Sequence, residues 1–151
     1  EGEFIIEDKT SITSGIGGGN ILIIGTSNKE VLKAGEAAVK EMKKIDNIIL
    51  PFPGGIVRSG SKVGSKYKNL IASTNDAYCP TLKGITKTNL DKDIECVLEI
   101  VVDGINEKDI ALAMKKSSKI IALKKIMSLM EIIYYQSTNK KQKIMKKNLV
   151  I

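Results

Sequence analysis

The sequence predicts an α+β domain in which an antiparallel sheet carries two helices on one face. Apolar runs of strand length and amphipathic helical segments follow in the order strand, helix, strand, strand, helix, with the final element uncertain. That order matches the split β-α-β, ferredoxin-like sandwich. The 151 residues, 42% hydrophobic and 27% charged, suffice for one domain with a hydrophobic core.

The first strand follows a glycine cluster. Ile21–Ile24 is an apolar run that ends at a glycine, whereas residues 15–20 are expected to break regular structure. A shorter strand candidate lies at Phe4–Glu7. The glycine cluster precedes its strand, and no Gly-Lys-Ser/Thr motif follows it, so a flexible or bulged connection is favoured over a phosphate loop.

Two helices are predicted from their caps and apolar stripes. Ser27 or Asn28 can cap the first helix, which runs through Lys44. Asn106 can cap the second, whose apolar stripe begins at Ile110. The stripe of the first helix consists of Val31, Ala34, Ala38, Val39 and Met42.

Two further strands are predicted, a short one at Asn47–Leu50 and the clearest one at Ile94–Val102, before a turn at 103–104. One face of the second is uniformly apolar, and the alternate residues, Glu99 among them, form a mixed face. An antiparallel sheet can bury one face under helices and leave the other open to a second lobe or subunit. The mixed face is expected on that open side.

The charge of the chain is concentrated in its last quarter. Residues 1–114 hold 14 basic and 16 acidic side chains, whereas residues 115–151 hold 10 basic and one acidic. The net charge of +7 therefore belongs to the tail, and the lysine-rich stretch 137–147 predicts disorder. No apolar run reaches the roughly 18 residues that span a bilayer, so no membrane partner is expected.

The residue types limit the possible chemistry. The sequence contains no histidine, which excludes histidine acid–base catalysis, Ser-His-Asp and Cys-His nucleophiles, and most zinc sites. Proton transfer falls to Glu, Asp, Lys, Tyr or Cys. Cys79 and Cys96 form no CxxC pair; two reduced, partly buried thiols in a cytoplasmic protein are favoured, with a structural disulfide as the alternative.

Two polar segments could bind a ligand. Pro51–Gly55 fixes two φ angles and then frees two, which predicts a tight reversal, and residues 57–66 add hydroxyls, amides and cations. Residues 73–81 are dense in hydrogen-bonding groups that suit a heteroaromatic ligand such as a pterin. Solvated loops and Asx or Ser/Thr turns are the alternative explanation of both segments.

Glu99 is the candidate for acid–base chemistry. It lies in mid-strand between Val97 and Val101 on its own face. A carboxyl group among apolar neighbours loses hydration, which favours its neutral form and makes it a proton donor near neutral pH. The alternative is an exposed glutamate on a strand face.

Together these motifs resemble the C-terminal, distal lobe of the formylmethanofuran:tetrahydromethanopterin formyltransferase family. They occur in the family's order and close to its spacing. The resemblance covers residues 1–120 and leaves residues 121–151 as a divergent basic tail. The motifs are EGEFIIED at 1–8, SGIGGGN at 14–20, PFPGGIV at 51–57, SKVGSK at 61–66, ASTNDAYCPT at 72–81 and CVLEIVVDGIN at 96–106.

The resemblance implies formyl transfer from N-formylmethanofuran to N5 of tetrahydromethanopterin, in archaeal one-carbon metabolism and methanogenesis. It implies a cytoplasmic enzyme with no metal or prosthetic group, for which methanofuran and tetrahydromethanopterin are carrier substrates. Glu99 aligns with the family's proposed catalytic glutamate. The substrate-binding residues implied by the alignment are Pro53, Gly54, Gly55, Ser61, Lys62, Ser65, Ser73, Thr74, Asn75, Asp76 and Tyr78.

Two departures from the family bear on activity. The N-terminal lobe is missing and the chain begins at Glu1, so we expect a fragment, a processed product or a trimmed chain. Activity would need a complementing N-terminal lobe, and a homo-oligomer is expected. The tail lacks the family's final strand and resembles a reading-frame shift. The alternatives are a non-catalytic relic or ligand-binding lobe and, disfavoured by scarce aromatics, a basic-tailed protein that binds RNA or an acidic surface.

Overall fold

One antiparallel sheet with two helices forms the described part of the chain. The computed structural model describes residues 2–3, 5–6, 9, 12, 14–59, 76–123, 130–138 and 141–149. The helices and strands are β1 (Ile16–Gly25), α1 (Asn28–Met42), β2 (Ile48–Ile49), β3 (Val57–Arg58), β4 (Cys96–Gly104), α2 (Glu107–Leu123), β5 (Met130–Thr138) and β6 (Lys141–Leu149). Three short 3-10 turns occupy Pro53–Gly55, Asp76–Tyr78 and Pro80–Leu82.

The sheet is built around β1 and β4. Its strand order is β2-β4-β1-β5-β6, and β3 also pairs with β4. Every one of these pairings is antiparallel. In the central pair, Ile21 lies opposite Ile100 and Leu22 lies opposite Glu99. The register therefore places Leu22 and Glu99 on one face and the two isoleucines on the other.

Both helices pack on the face that carries Ile21 and Ile100, which confirms the predicted apolar stripe of the first helix. In α2, the Asp109 backbone N–H donates to Asn106 Oδ1 at 3.0 Å, which confirms Asn106 as the N-cap. Burying a large aliphatic side chain here contributes about 1.5–3 kcal/mol. The buried residues of this core are Ile21, Ile23, Val31, Ala34, Ala38, Val39, Met42, Cys96, Ile100, Val102, Ile110, Ala113, Met114 and Ile121.

The glycine cluster belongs to β1, so the prediction that it breaks regular structure was wrong. A Cβ atom on Gly19 would lie 2.7 Å from Val102 Cγ1 and 2.8 Å from Ile110 Cγ2. Position 19 is a glycine because α2 approaches β1 too closely for a side chain. The pairing with β4 shifts between Ile16 and Gly19, so the predicted bulge is present. Ile5 and Ile6 lie outside any strand, and the flanking Phe4 and Glu7 lie outside the described residues.

The second face of the sheet is buried around Leu22, Ile24 and Val97, so the prediction that it stays open was wrong for this part of the face. Residues 76–94, here called the cover segment, fold across this face between β3 and β4. The cover segment is irregular, and its few apolar residues have no period that identifies them as a buried layer. The second core consists of Leu22, Ile24, Tyr78, Leu90, Ile94 and Val97.

The C-terminal strands replace the disorder predicted for the lysine-rich stretch. β5 pairs with β1 from Gly19–Gln136 to Ile24–Glu131, and β6 pairs with β5 along its full length. Backbone hydrogen bonds to the free edge of β1 order this segment, and they need no apolar periodicity. The domain boundary at residue 120 and the reading-frame shift stay predictions.

Two strand boundaries also differ from prediction. β2 has two residues, and β4 continues through Gly104, where a turn was predicted. Gly104 pairs with Ile48 and with Ile16, so strands on both sides extend β4. Among the described residues, no helix has both the length and the apolarity needed to cross a membrane.

The start of α2 is held by a charged hydrogen-bond network. Asn47 Nδ2 and Asn106 Nδ2 donate to Asp109 Oδ2 at 3.0 and 2.7 Å, and these two bonds hold the pKa of Asp109 below its ordinary value. Because the folded-state pKa is lowered, the stabilisation is complete above the ordinary pKa of about 3.9. It is lost as the pH falls through the folded-state value.

We expect Asn47→Gly to unfold at a lower temperature than the wild type at neutral pH, and this difference to shrink in acid. Asn47 has φ 62°, which glycine adopts without strain, so the substitution removes the amide donor without straining the folded backbone. Thermal unfolding followed by circular dichroism between pH 7 and about pH 2 measures the effect. If the difference in unfolding temperature does not change with pH, the loss of stability comes from the backbone and not from the hydrogen bond to Asp109.

Candidate functional site

Glu99 lies in the middle of β4 with a strand on each side. Its register partners are Leu22 on β1 and Val57 on β3. Only 8% of its surface is exposed, although it is a carboxylic acid. The exposed-glutamate alternative was therefore wrong, and the predicted apolar surroundings are confirmed. Buried carboxyl groups in such surroundings are typical of sites that transfer protons.

Asn20 is a hydrogen-bond partner of Glu99. Asn20 lies on β1 two residues before Leu22, the register partner of Glu99, and its Nδ2 donates to Glu99 Oε1 at 2.6 Å. The second polar atom of this amide, Oδ1, is buried and has no hydrogen-bond partner among the described residues. Sequence reasoning missed Asn20 because it ends the glycine cluster, and only the strand register brings it to Glu99.

The predicted reversal at Pro51–Gly55 is confirmed, and it leads the chain into β3 beside Glu99. Gly54 and Gly55 have φ 73° and 82°, and the Gly55 N–H donates to the Phe52 carbonyl at 2.8 Å. Pro53 and Gly54 are exposed, so a ligand can reach them. Gly55 is buried, and a Cβ there would lie 3.0 Å from Leu50 Cδ1 and Val39 Cγ2. This glycine therefore has a packing role.

The cover segment brings Tyr78 to the face of the sheet that carries Glu99. Tyr78 is 6% exposed and packs in the second core with Leu22 and Val97, while Asp76 is half-buried. Tyr78 thus contributes packing beside the site. The other predicted binding residues, Ser61, Lys62, Ser65, Ser73, Thr74 and Asn75, lie outside the described residues.

A cleft of about 430 Å³ opens where the start of α1, the end of β3 and the start of β4 meet the turn at Pro80. Both cysteines line it, and both are buried and free, so the disulfide alternative was wrong. Burial raises the pKa of the Cys96 thiol, which makes it a poor nucleophile at neutral pH. Within the described residues, no group of three or more His, Cys, Asp or Glu side chains could hold a metal ion.

The side chain of Lys83 links two parts of the cover segment through hydrogen bonds. Its Nζ donates to the carbonyl oxygens of Asp91, Lys92 and Ile94 at 2.7, 3.2 and 2.5 Å. One ammonium group therefore joins three carbonyl groups just before β4, and the Asp91 carbonyl also accepts the Ile94 N–H at 3.2 Å. No sequence motif predicts this role, because the carbonyls converge only in the folded chain.

We expect Lys83→Met to lower the free energy of unfolding by about 0.5–1.5 kcal/mol, because it removes the ammonium group that donates to three carbonyl oxygens, of which only that of Ile94 is reached by a part-buried bond. Methionine keeps the length of the side chain. Urea unfolding measures the change, and the exposed Lys87→Met in the same segment is the matched control. If the two variants change the free energy of unfolding equally, the hydrogen bonds of Lys83 do not stabilise the cover segment.

Comparison with known proteins identifies the family. Residues 2–143 match a family model described as FTR, proximal lobe. A formylmethanofuran–tetrahydromethanopterin formyltransferase of Methylobacillus flagellatus is 61% identical over 115 residues, which are 76% of this chain and 38% of that protein. The protein of the same name from Methanocaldococcus jannaschii is 44% identical over 133 residues, which are 83% of this chain and 44% of that protein.

Solved structures agree with the sequence relatives. The formylmethanofuran:tetrahydromethanopterin formyltransferase of Methanosarcina barkeri has 46% identity and a TM-score of 0.62, covering 71% of this chain and 37% of that chain. The formyltransferase/hydrolase complex of Methylorubrum extorquens, solved with methylofuran, has the same identity and TM-score over 73% of this chain and 36% of that chain. This chain thus spans less than half the length of these relatives.

The comparisons change three details of the resemblance. The matching model describes the proximal lobe, where the resemblance named a distal one, and the match continues past residue 120. Relatives in Methylobacillus flagellatus and Methylococcus capsulatus are bacterial, so the restriction to archaea is not supported. Because the family model matches nearly the whole chain, the chain belongs to the formylmethanofuran:tetrahydromethanopterin formyltransferase family.

Proposed function

We propose that this chain carries the proton-transferring lobe of an enzyme that moves a formyl group from N-formylmethanofuran to N5 of tetrahydromethanopterin. The observation that carries the proposal is the buried carboxyl group of Glu99, held by Asn20 in the centre of the sheet. Relatives that share this lobe are named for that reaction. The substrates act as one-carbon carriers, and no prosthetic group takes part.

The reaction requires one proton to move from Glu99 to the leaving group and one to move from the attacking amine to Glu99. The N5 amine of the pterin attacks the formamide carbon, and negative charge grows on the carbonyl oxygen of the tetrahedral intermediate. As the bond from carbon to the methanofuran nitrogen breaks, neutral Glu99 gives its proton to that nitrogen and then takes the proton lost from N5. Donors near the carbonyl oxygen stabilise the intermediate, and exclusion of water protects the formyl group from hydrolysis.

The substrates are proposed to bind along the segments that flank the site. The exposed Pro53 and Gly54 precede β3, which lies beside Glu99, and Asp76 begins the cover segment. Ser61, Lys62, Ser65, Ser73, Thr74 and Asn75 complete the proposed set. Hydroxyl, amide and ammonium groups of these kinds suit the pterin amide and the anionic groups of large carrier molecules.

The wider organisation is also a proposal. The antiparallel strand order with α1 and α2 on one face supports a ferredoxin-like split β-α-β fold. Because this chain spans less than half of its relatives, we propose that activity needs a polypeptide carrying the N-terminal lobe, within a homo-oligomer. The Methylorubrum extorquens relative, solved within a larger complex, supports assembly with other chains. The free thiols of Cys79 and Cys96 support a cytoplasmic location.

The test is complementation. We expect formyl transfer when the purified chain is mixed with an N-terminal lobe of a related formyltransferase, and none from either polypeptide alone. The disappearance of N-formylmethanofuran and the appearance of N5-formyltetrahydromethanopterin are measured together by chromatography. Binding of either substrate without turnover in the mixture would favour a ligand-binding lobe. Salt-sensitive RNA binding that vanishes when residues 121–151 are deleted would favour the basic-tailed interaction protein.

A further inference from the structure

The cleft of about 430 Å³ at the start of α1 is bordered by polar groups from three different elements. Asn28 comes from α1, Arg58 and Ser59 come from the end of β3, and the remaining border includes the start of β4. The Ser59 backbone N–H donates to the Val97 carbonyl at 3.1 Å, which fixes the end of β3 against β4. The fold therefore holds these polar groups around one opening.

Ser59 brings a buried hydroxyl group to this cleft. Only 3% of the residue is exposed, and its Oγ is buried without a hydrogen-bond partner among the described residues. A buried hydroxyl group without a partner costs free energy, and most native structures avoid it. Because a serine hydroxyl rotates freely about its bond to Cβ, it can donate to an oxygen atom of a ligand in the cleft.

The start of α1 offers backbone donors to the same cleft. The first hydrogen bond of the helix joins the Val31 N–H to the Ser27 carbonyl at 3.0 Å, so the N–H groups of residues 28–30 precede the bonded turn. The side chain of Ser27 makes no capping hydrogen bond. Lys29 and Glu30 carry opposite charges, so the positive end of the helix dipole remains. Such N–H groups bind anions.

Arg58 adds a positive charge. Its side chain is exposed, and no carboxylate of the described residues lies within salt-bridge distance of it. Burial raises the pKa of the Cys96 thiol and the charge of Arg58 opposes this rise, which places the guanidinium near the part of the cleft that Cys96 lines. Glu95 also borders the cleft, but it is exposed, so water and salt screen its charge.

We infer that this cleft binds an oxyanion, the carboxylate or phosphate group of a ligand, through the Arg58 guanidinium, the Ser59 hydroxyl and the N–H groups that begin α1. All three are hydrogen-bond donors, and the oxygen atoms of carboxylate and phosphate are acceptors. A guanidinium group binds either anion through two parallel hydrogen bonds.

Two sources of the oxyanion fit this chemistry. One is a free anion, and the other is an anionic group of one of the carrier substrates, which rests on the proposed function. Val97 and Leu98, the two residues before Glu99, line the cleft. A substrate whose anionic group is held in the cleft would therefore lie beside the proposed site of proton transfer.

The test is titration of ¹⁵N-labelled protein with inorganic phosphate, followed by amide NMR. We expect saturable shifts of the N–H resonances of residues 28–30 and of Ser59. Arg58→Gln should raise the dissociation constant about tenfold, the usual effect of removing a hydrogen bond to a charged group. Lys33→Gln removes the same charge from an exposed position of α1 outside the cleft and is the control. Unchanged resonances at these residues, or equal effects of the two variants, would overturn the inference.

Ser59→Ala separates ligand binding from a structural role. Because the hydroxyl has no partner among the described residues, its removal should leave the unfolding temperature without phosphate unchanged or higher, while phosphate binding weakens. Phosphate affinity equal to that of the wild type would show that the hydroxyl does not contact the anion. A fall of several degrees in unfolding temperature without phosphate would make the hydroxyl structural. Either result overturns the assignment of Ser59.

Competition identifies the source of the oxyanion. N-formylmethanofuran and tetrahydromethanopterin are added separately to the phosphate-bound chain in the mixture with the N-terminal lobe. Displacement of phosphate by one of them assigns the oxyanion to that carrier, and retention of phosphate with both assigns it to a free anion. Phosphate binding itself is measured without a substrate, so failure of the cleft and failure of formyl transfer are distinguishable.

Discussion

Glu99→Gln is expected to lower the rate of formyl transfer in the complemented enzyme by about 10²- to 10⁴-fold, the usual contribution of a general acid–base group. Glutamine has nearly the same shape, but it can neither give a proton to the leaving nitrogen nor take one from N5. Its amide can keep the hydrogen bond to Asn20, so the lobe stays folded. Steady-state kinetics should show the loss in kcat, with KM for both substrates little changed.

The control for this prediction is Glu95→Gln. Glu95 is four residues before Glu99 and on the same side of the chain, but it is exposed. Its replacement changes the charge by the same amount and should leave the rate unchanged. An unchanged rate in Glu99→Gln, with formyl transfer established for the wild type, would remove Glu99 from the mechanism.

Leu22→Ala is expected to lower the free energy of unfolding by about 2–5 kcal/mol, as for other fully buried leucines. Leu22 has no exposed surface, and it lies between the sheet and the cover segment, where it packs with Tyr78 and Val97. Removing its side chain leaves a cavity that the fixed sheet cannot close. Urea unfolding of the purified chain measures the change.

The same experiment tests the burial of the second face. Ile85 belongs to the cover segment but is 77% exposed, so Ile85→Ala should change stability by no more than about 0.5 kcal/mol. If Leu22→Ala also costs less than about 1 kcal/mol, the face that carries Glu99 is open rather than covered. Glu99 would then lose its apolar surroundings and with them its proposed role.

Patterns among neighbouring residues were enough to predict the helices and the tight reversal before β3. The spacing of Val31, Ala34 and Ala38 and the cap at Asn106 are properties of neighbouring residues, and the structure confirms both. Gly54 and Gly55 likewise form the tight reversal that their order after Pro53 predicts, with positive φ angles. These elements are specified within about one helical turn of sequence, so periodicity and caps find them.

The interior of the sheet could not be predicted in the same way. The glycine cluster around Gly19 predicts a break in regular structure, but Gly19 lies within β1. It is a glycine because α2 approaches that strand too closely for a side chain. The three carbonyl groups that Lys83 binds are also invisible in the sequence, since only folding brings them together. Contacts between distant segments decide both features.

By itself, the sequence determined the α+β class, the two helices, the family and Glu99 as the candidate for acid–base chemistry. It could not decide whether Glu99 is exposed, because a strand with one mixed face looks the same whether that face meets water or a covering segment. Only the tertiary structure placed the cover segment over Leu22 and Val97 and paired β1 with β4 so that Asn20 reaches Glu99. Burial and register depend on chain segments that are remote in sequence, and they determine the environment of the carboxyl group.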